Sequence, residues 1–221
     1  MTYKTETQNL RELDQFLSFI REKKINLYLE IGLYAGSTFK DVYDTLLDVW
    51  KGDTSKFRVL AVDLPTNSEA FKVAQETVSQ MPGATIWWTS STDPQTVEEV
   101  LGEVTHWYSR FDDENTTHAN LTRKWLPGEP RSLVFIDGDH LFEQAKQDYL
   151  AYGSHFEYVA FNDISPRTIP QNRKKHPSIG SRDVATVYHL YEGIKAGNPD
   201  MCETYFEDYE AEKARGVGVL Y

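Results

Sequence analysis

Five short apolar segments alternate with segments of helical periodicity along this chain, and that alternation limits its fold more than any other feature. The apolar segments are residues 25–31, 57–64, 84–88, 132–138 and 157–163. Strands that are apolar along their whole length are typical of a parallel sheet covered by helices on both faces. The sequence therefore predicts an α/β fold with a doubly wound, mostly parallel sheet.

The segments around these strands carry apolar residues at helical spacing. An amphipathic N-terminal helix is expected within residues 1–24, and further helices are expected over 37–50, 68–80, from Pro94 onward, 141–153 and 183–195. The final segments, 203–209 and 216–221, predict two strands with no helix between them. We expect these strands to complete a seven-stranded sheet as a C-terminal antiparallel hairpin.

The length of the chain predicts a single domain over residues 1–221, because a chain of this size can bury a sizeable core. Two segments, 103–130 and 164–182, interrupt the alternation of strands and helices. Long irregular loops inside a compact domain usually serve binding. Both segments are therefore candidate acceptor-binding or lid loops.

Charge and cysteine content exclude several classes of function. The formal net charge is −11, which disfavours nucleic acid as a partner because affinity for nucleic acid rests on basic contacts to phosphates. No stretch is apolar enough for a membrane span, and the one cysteine, Cys202, can form no disulfide within the chain. We expect a cytoplasmic protein with neither a nucleic-acid nor a membrane partner.

Acidic and hydroxyl side chains follow nearly every predicted strand. In doubly wound sheets, ligands bind at the carboxyl ends of the strands. The residues expected at that edge are Glu30, Gly32, Asp63, Ser90, Ser91, Asp137, Gly138, Asp139, His140, Asn162 and Asp163. Their concentration at one edge predicts a ligand-binding site there.

The segment YLEIGLYAGST, residues 28–38, joins the first strand to its helix through Gly32 and Gly36. A phosphate-binding P-loop would need a lysine after the second glycine, where this chain has Ser37. A dinucleotide fingerprint would need a third glycine. The turn therefore lacks the residues that bind a phosphate chain.

S-adenosylmethionine (SAM) suits this turn better, because it carries no phosphate. Glu30 can hold the methionine end, directly or through water, and Asp63 can accept both ribose hydroxyls. The predicted cofactor-binding residues are Glu30, Gly32, Gly36, Ser37, Asp63, Ser90, Ser91 and Asp137. A NAD(P)-dependent short-chain-type oxidoreductase stays an alternative, because Tyr191 and Lys195 have the spacing of the catalytic pair of that class.

Several motifs occur in a fixed order: LEIGLYAGST, VLAVDL, VFIDGDHLFEQAKQDYLAYG, AFNDI and GVGVL. Together they resemble class I SAM-dependent methyltransferases, and most closely the branch of macrocin-type O-methyltransferases and cephalosporin-hydroxylase-like proteins. The resemblance runs from about residue 27 to residue 221, and FIDGDH is its most specific part. It implies transfer of a methyl group from SAM to a hydroxyl of a small molecule or glycoside.

The resemblance also implies a divalent metal ion, held by Asp137, Asn162 and Asp163. Oxygen ligands suit Mg²⁺, which would hold the acceptor hydroxyl and lower its pKa. The same residues could instead cap a helix or form turns. Some relatives have two acids where this chain has Asn162 and Asp163, so we expect weakened metal affinity.

Asp137 and His140 are the predicted catalytic residues. His140 could act as a general base with a pKa near working pH, or it could hold its loop through a hydrogen bond. Arg173, Lys174 and Lys175, in the 164–182 segment, could attract an anionic acceptor or serve only as solvated charges.

The sequence also bears on two other functions and on one assembly. Enzymes that methylate amino groups of nucleic-acid bases carry an Asn or Asp followed by Pro-Pro and an aromatic residue after the fourth strand, where this chain has DGDH, residues 137–140. A SAM-binding domain without catalytic activity is the non-enzymatic alternative. The N-terminal amphipathic helix could serve a homodimer or a higher homo-oligomer.

Overall fold

The computed structural model describes residues 10–111, 131–166, 185–208 and 215–221. Within these ranges seven strands form one sheet. The strands are β1 Leu27–Ile31, β2 Arg58–Asp63, β3 Ala84–Trp88, β4 Ser132–Ile136, β5 Tyr158–Phe161, β6 Glu203–Phe206 and β7 Val217–Leu220. Their spatial order is β3-β2-β1-β4-β5-β7-β6.

The pairing of the strands confirms the predicted architecture. The first five strands are all parallel, with β1 between β2 and β4. Strand β7 runs antiparallel to both β5 and β6. The sheet is therefore seven-stranded, mostly parallel and completed by an antiparallel hairpin. The strand order reverses between β1 and β4, and this reversal marks the expected ligand site.

Six helices cover the two faces of the sheet within the described ranges. They are α1 Leu10–Lys23, α2 Ser37–Val49, α3 Glu69–Ser79, α4 Pro94–Ser109, α5 Phe142–Tyr152 and α6 Val187–Gly197. Side chains of α1 and α2 pack with one face of the sheet in a first core cluster. Side chains of α4, α5 and α6 pack with the other face in a second cluster. Both faces are covered, which explains why the central strands are mostly apolar.

Polar side chains fix where two of these helices begin. Ser68 accepts the backbone N–H of Phe71 at the start of α3. Asp93 accepts the backbone N–H of Thr96 at the start of α4, and Pro94 occupies its first position. Such caps satisfy N–H groups that have no partner within the helix.

One predicted loop begins later than the sequence suggested. Residues 103–109, assigned to the irregular segment 103–130, belong to α4. Val100, Val104 and Trp107 lie on one helical stripe and are buried in the core, so packing carries the helix past the predicted boundary. Residues 112–130 lie outside the described ranges, as do residues 167–184 of the second candidate loop and its basic residues 173–175.

The amphipathic N-terminal helix is present as α1, with Phe16 and Ile20 buried against the sheet. Its Glu12 is also buried. The Glu12 carboxylate accepts backbone N–H groups of Asp208, Arg215 and Gly216. Helix α1 is thereby fastened to the chain on both sides of the undescribed segment 209–214.

Candidate functional site

A cavity of about 550 Å³ opens at the carboxyl ends of the parallel strands. Its volume falls within the range of small-molecule binding sites. From the predicted set, the lining includes Gly32, Ser37, Asp63, Ser90, Ser91, Asp137, Gly138, Asp139, His140 and Asn162. Polar lining residues that were not predicted from the sequence include Gln144, Asp148 and Arg215.

The first wall of the cavity is a turn that depends on its glycines. Gly32 and Gly36 have φ angles of 90° and 74°, and Tyr34 between them has a φ of 52°. A Cβ atom on Gly32 would lie 2.5 Å from the Cα atom of Gly138, so this glycine also lets the turn touch the chain after β4. At Gly36 the nearest atom would lie 3.6 Å away, so only its left-handed backbone requires glycine.

Asp63 ends β2 and lines the cavity beside this turn. Its carboxylate accepts the backbone N–H of Leu64 at 2.9 Å and further backbone hydrogen bonds from Leu33 and Tyr34. Burial raises the pKa of the Asp63 carboxyl, and these hydrogen bonds only partly offset that rise. The acid therefore holds the glycine turn in place and presents a carboxylate to the cavity.

Glu30 lies within β1, is 1% exposed and is not among the residues that line the cavity. Tyr28 donates its hydroxyl to Glu30 Oε2 at 2.6 Å. Burial raises the pKa of the Glu30 carboxyl well above its ordinary value; the hydrogen bond opposes this rise, and the charges of Asp137 and Asp63 add to it. The contact of Glu30 with a cofactor stays a prediction.

The chain after β3 meets α5 through a buried carboxylate. Ser91 donates its hydroxyl to Asp148 Oδ1 at 2.6 Å, and Tyr152 donates its hydroxyl to the Ser91 carbonyl at 2.6 Å. Asp148 is 1% exposed, and burial raises the pKa of its carboxyl to about 6. The hydroxyl of Ser90 lies 3.2 Å from that of Thr92. An unpredicted acid thus stands at the β3 end of the cavity.

The sequence contained a signal for Asp148. This residue lies three positions after Ala145 and four before Tyr152, and both neighbours are buried in α5. Helical periodicity therefore places Asp148 on the buried face. A charged residue on a core-facing stripe is uncommon unless it has a partner or a function.

The ends of β4 and β5 bring two predicted residues into contact. Asn162 donates its Nδ2 amide to Asp137 Oδ1 at 2.6 Å. The Asn162 Oδ1 atom is buried and accepts no hydrogen bond from the described residues. A buried oxygen without a donor is costly, so this atom is a candidate ligand for a cation or a donor group.

Asp163 lies beside this pair, is buried, and has a left-handed backbone with φ 58°. His140 Nδ1 lies 3.2 Å from Asp163 Oδ2, and an Arg215 guanidinium nitrogen lies 3.5 Å from Asp163 Oδ1. Both His140 and Arg215 line the cavity, whereas Asp163 stands behind them. One buried carboxylate therefore orients two polar side chains toward the cavity.

The backbone of His140 is held by the chain that follows the second candidate loop. Val187 donates its N–H to the His140 carbonyl at 3.1 Å, and Phe142 donates to the Ala185 carbonyl at 3.2 Å. A bridge between Leu141 and Thr186 joins the same segments. The residues that follow the 164–182 segment, 185–187, therefore adjoin the backbone of the candidate catalytic histidine.

The Tyr191 and Lys195 pair does not meet the cavity. Tyr191 donates its hydroxyl to Glu203 Oε1 at 2.6 Å, and Lys195 Nζ lies 3.0 Å from the same carboxylate. Neither residue is among those lining the cavity. The pair fastens α6 to β6, so the structure lends no support to a short-chain-type oxidoreductase.

The described residues lack both a cluster of metal-binding side chains and a membrane-spanning helix. No group of three or more His, Cys, Asp or Glu side chains in these ranges is arranged to hold a metal ion; the set Asp137, Asn162 and Asp163 contains only two such residues. No helix within the same ranges is both long and apolar enough to span a membrane.

Comparison with solved structures identifies the fold. An O-methyltransferase from Bacillus cereus, in complex with S-adenosylhomocysteine (SAH), superposes with a TM-score of 0.57 over 98% of this chain and 83% of that chain, at 12% identity. This is a methyltransferase fold. The O-methyltransferase TomG from Streptomyces achromogenes, in complex with SAM, superposes with a TM-score of 0.53 over 95% of this chain and 78% of its own, at 12% identity.

A third similar structure, an O-methyltransferase described as putative, comes from Klebsiella pneumoniae. It superposes with a TM-score of 0.55 over 99% of this chain and 82% of its own, at 12% identity. No protein-family model and no curated protein sequence matches this chain. The fold implied by the motifs is thus confirmed by structures alone.

Proposed function

We propose that this protein is a SAM-dependent O-methyltransferase acting on a hydroxyl of a small molecule or glycoside. One observation carries the proposal: the Asp63 end, suited to a ribose, and the His140 end, suited to a hydroxyl proton, open onto the same cavity. A methyl donor and its acceptor must share one space for direct transfer.

The character of the cavity favours SAM over a dinucleotide. Arg215 is the single Lys or Arg among the described residues of the lining, and its guanidinium is engaged by Asp163. A pyrophosphate would face the carboxylates of Asp63 and Asp137 with little compensating positive charge. The amino acid ammonium and the sulfonium of SAM suit such an acidic cavity.

His140 is the proposed proton acceptor. With Nδ1 directed at Asp163, the imidazole would carry its proton on Nδ1 and leave the Nε2 lone pair to accept another. The acceptor oxygen would lose its proton to Nε2 and attack the methyl carbon. The carbon–sulfur bond would break with its electron pair passing to sulfur, which leaves neutral SAH.

Asp137, Asn162 and Asp163 are the proposed ligands of a divalent cation such as Mg²⁺. Their fit rests on the contact between Asp137 and Asn162 and on the buried Asn162 oxygen that accepts no hydrogen bond from the described residues. A bound cation would supply Lewis-acid polarisation of the acceptor hydroxyl. The neutral amide of Asn162 and the positive charge of Arg215 at 3.5 Å from Asp163 would both lower affinity for the cation.

The 164–182 segment is proposed to contribute to the acceptor site, because the residues on its far side pair with the backbone at His140. An anionic acceptor attracted by Arg173, Lys174 or Lys175 belongs to this proposal. A homodimer formed through α1 and a cytoplasmic location stay predictions from the sequence.

Calorimetric titration tests the cofactor. We expect SAM and SAH to bind in the micromolar range and NAD⁺ and ATP to show no binding at the same concentrations. Tighter binding of NAD⁺ than of SAH would overturn the proposal.

The metal is tested by Mg²⁺ titration of the SAH complex, with Asp137→Ala as the variant that should lose the heat of binding. SAH affinity should change little in excess chelator. Methyl transfer to a panel of hydroxylated small molecules should be lost with the chelator. Full transfer activity without a divalent cation would remove the metal and leave His140 as the base.

A further inference from the structure

Three properties of Asp148 single it out among the acids of the cavity. It is 1% exposed, it lines the cavity, and it lies on the core-facing stripe of α5. Isolated carboxylates are rarely buried, because the loss of hydration is costly unless donors compensate. The charge of Asp139 disfavours ionisation of Asp148 further, because both residues are acids.

Only one of the two carboxylate oxygens has donors among the described residues. Ser91 at 2.6 Å and Gln144 at 3.4 Å both donate to Oδ1. The other oxygen, Oδ2, faces the chain after β4, where a Cβ atom on Gly138 would lie 4.0 Å away. Oδ2 therefore has capacity for a donor from a molecule in the cavity.

If the cofactor is SAM, its orientation in the cavity determines which part of it lies beside Asp148. Its ribose is placed by Asp63 at the end of β2, and its methyl group must approach His140, beyond the end of β4. The purine is attached to the other side of the ribose. It therefore extends toward the chain after β3, where Ser91 and Asp148 stand.

We propose that Asp148 Oδ2 accepts a hydrogen bond from the exocyclic amino group of the cofactor's adenine and so selects for that base. The inference rests on the proposed function, since it assumes a nucleoside cofactor. An amino group is the only strong donor on the edge of adenine, and a carboxylate accepts but does not donate when ionised. A charge-assisted bond of this kind corresponds to about a 10- to 100-fold effect on affinity.

The test compares two ligands, SAH and its analogue in which unsubstituted purine replaces adenine. Calorimetry of the wild-type protein should show SAH binding about 10- to 100-fold more tightly than the analogue. In Asp148→Asn the amide oxygen keeps the bond from Ser91, so the amide nitrogen takes the place of Oδ2 and meets the adenine amine as a second donor. Because the adenine amine then lacks an acceptor, the preference for SAH over the purine analogue should fall to about threefold or less.

Asp63→Asn is the matched control, because it also neutralises one acid of the cavity. It should weaken both ligands by a similar factor and leave their ratio unchanged. Melting curves of both variants should show a cooperative transition like that of the wild-type protein and so show that the variants are folded. Failure of the wild-type protein to bind SAH would refute the proposed function itself.

If wild-type protein binds SAH and the analogue equally, or if Asp148→Asn keeps the wild-type ratio, the inference about Asp148 is wrong while the proposed function stands. A uniform loss of affinity in Asp148→Asn would likewise overturn it, since an acid that bound the methionine ammonium would affect both ligands alike.

Discussion

The two ends of the cavity differ in the kind of contact that holds them together. At the β1–β2 end, the Asp63 carboxylate accepts hydrogen bonds from the backbone N–H groups of the glycine turn and of Leu64. At the β4–β5 end, Asp163 orients His140 and Arg215, which come from separate parts of the chain. Backbone N–H groups around one carboxylate build the first end, and contacts between side chains build the second.

This difference explains which parts could be predicted from the sequence. Gly32 and Asp63 belong to short motifs whose spacing carries the information. Arg215 stands before a terminal strand, and nothing in its neighbourhood marks it as a cavity residue. Its position is set by Glu12, 203 residues away in the chain, and a single sequence does not reveal such a pairing.

The fold itself was predictable, because the apolar strands and the helical periodicity agree with one another. The end of α4 could not be predicted, because Trp107 lies in a segment that looked irregular and is buried only through tertiary packing. Asp148 was missed for a related reason. Its burial could be read from the helical stripe, but its contact with Ser91 required the chain after β3 to cross toward α5.

The largest effect is expected from a substitution in the glycine turn at the β1–β2 end. Gly32→Ala should lower the free energy of unfolding by about 3 kcal/mol or more, because the residue needs a left-handed backbone and the new Cβ atom would lie 2.5 Å from Gly138. Gly36→Ala is the matched control, with the same backbone demand and a nearest atom at 3.6 Å. It should cost about 1–2 kcal/mol. Chemical denaturation measures both variants, and an equal loss of unfolding free energy would show that the close approach of Gly32 to Gly138 does not affect stability.

A second test measures the cost of the buried acid between the two ends. The raised pKa of Asp148, about 6 against an ordinary 3.8, means that the folded state favours the protonated acid. Its stabilising contribution is complete below about pH 3.8 and is lost as the pH rises through about 6. Without ligand, Asp148→Asn should therefore raise the free energy of unfolding at pH 8 by about 2–3 kcal/mol.

At pH 4.5 the same substitution should change stability much less, since the wild-type acid is then largely protonated. Urea denaturation at the two pH values gives the comparison. A pH-independent effect of the substitution would contradict the raised pKa.

A third test separates the two ends by their effect on the cofactor. Asp63→Ala should weaken SAH binding by about 1–3 kcal/mol, because the ribose hydroxyls lose a charged acceptor. His140→Ala should leave SAH affinity nearly unchanged, since the proposed role of His140 concerns the acceptor. Calorimetry measures the SAH affinity of both variants. Equal losses of affinity would show that the β4–β5 end binds the cofactor as much as the β1–β2 end does.

The smallest effect concerns the long-range support of the β4–β5 end. Glu12→Gln keeps the shape of the side chain but weakens the bonds that its carboxylate accepts from the backbone of Asp208, Arg215 and Gly216. We expect a loss of about 1 kcal/mol. Hydrogen exchange should accelerate at Arg215 and Gly216 and stay unchanged at Leu33 in the glycine turn. Uniform acceleration would indicate that Glu12 supports the whole fold instead.

The position of β7 has a consequence for how the protein is made. Although β7 follows every other described strand in the chain, it lies inside the sheet, between β5 and β6. During synthesis, the outer edge of β5 therefore stays unpaired until residues 217–220 have left the ribosome, and β6 has no partner in the sheet until then. Unpaired strand edges invite pairing with other chains. A nascent or prematurely terminated chain that lacks β7 would therefore expose the unpaired edge of β5 to pairing with other chains.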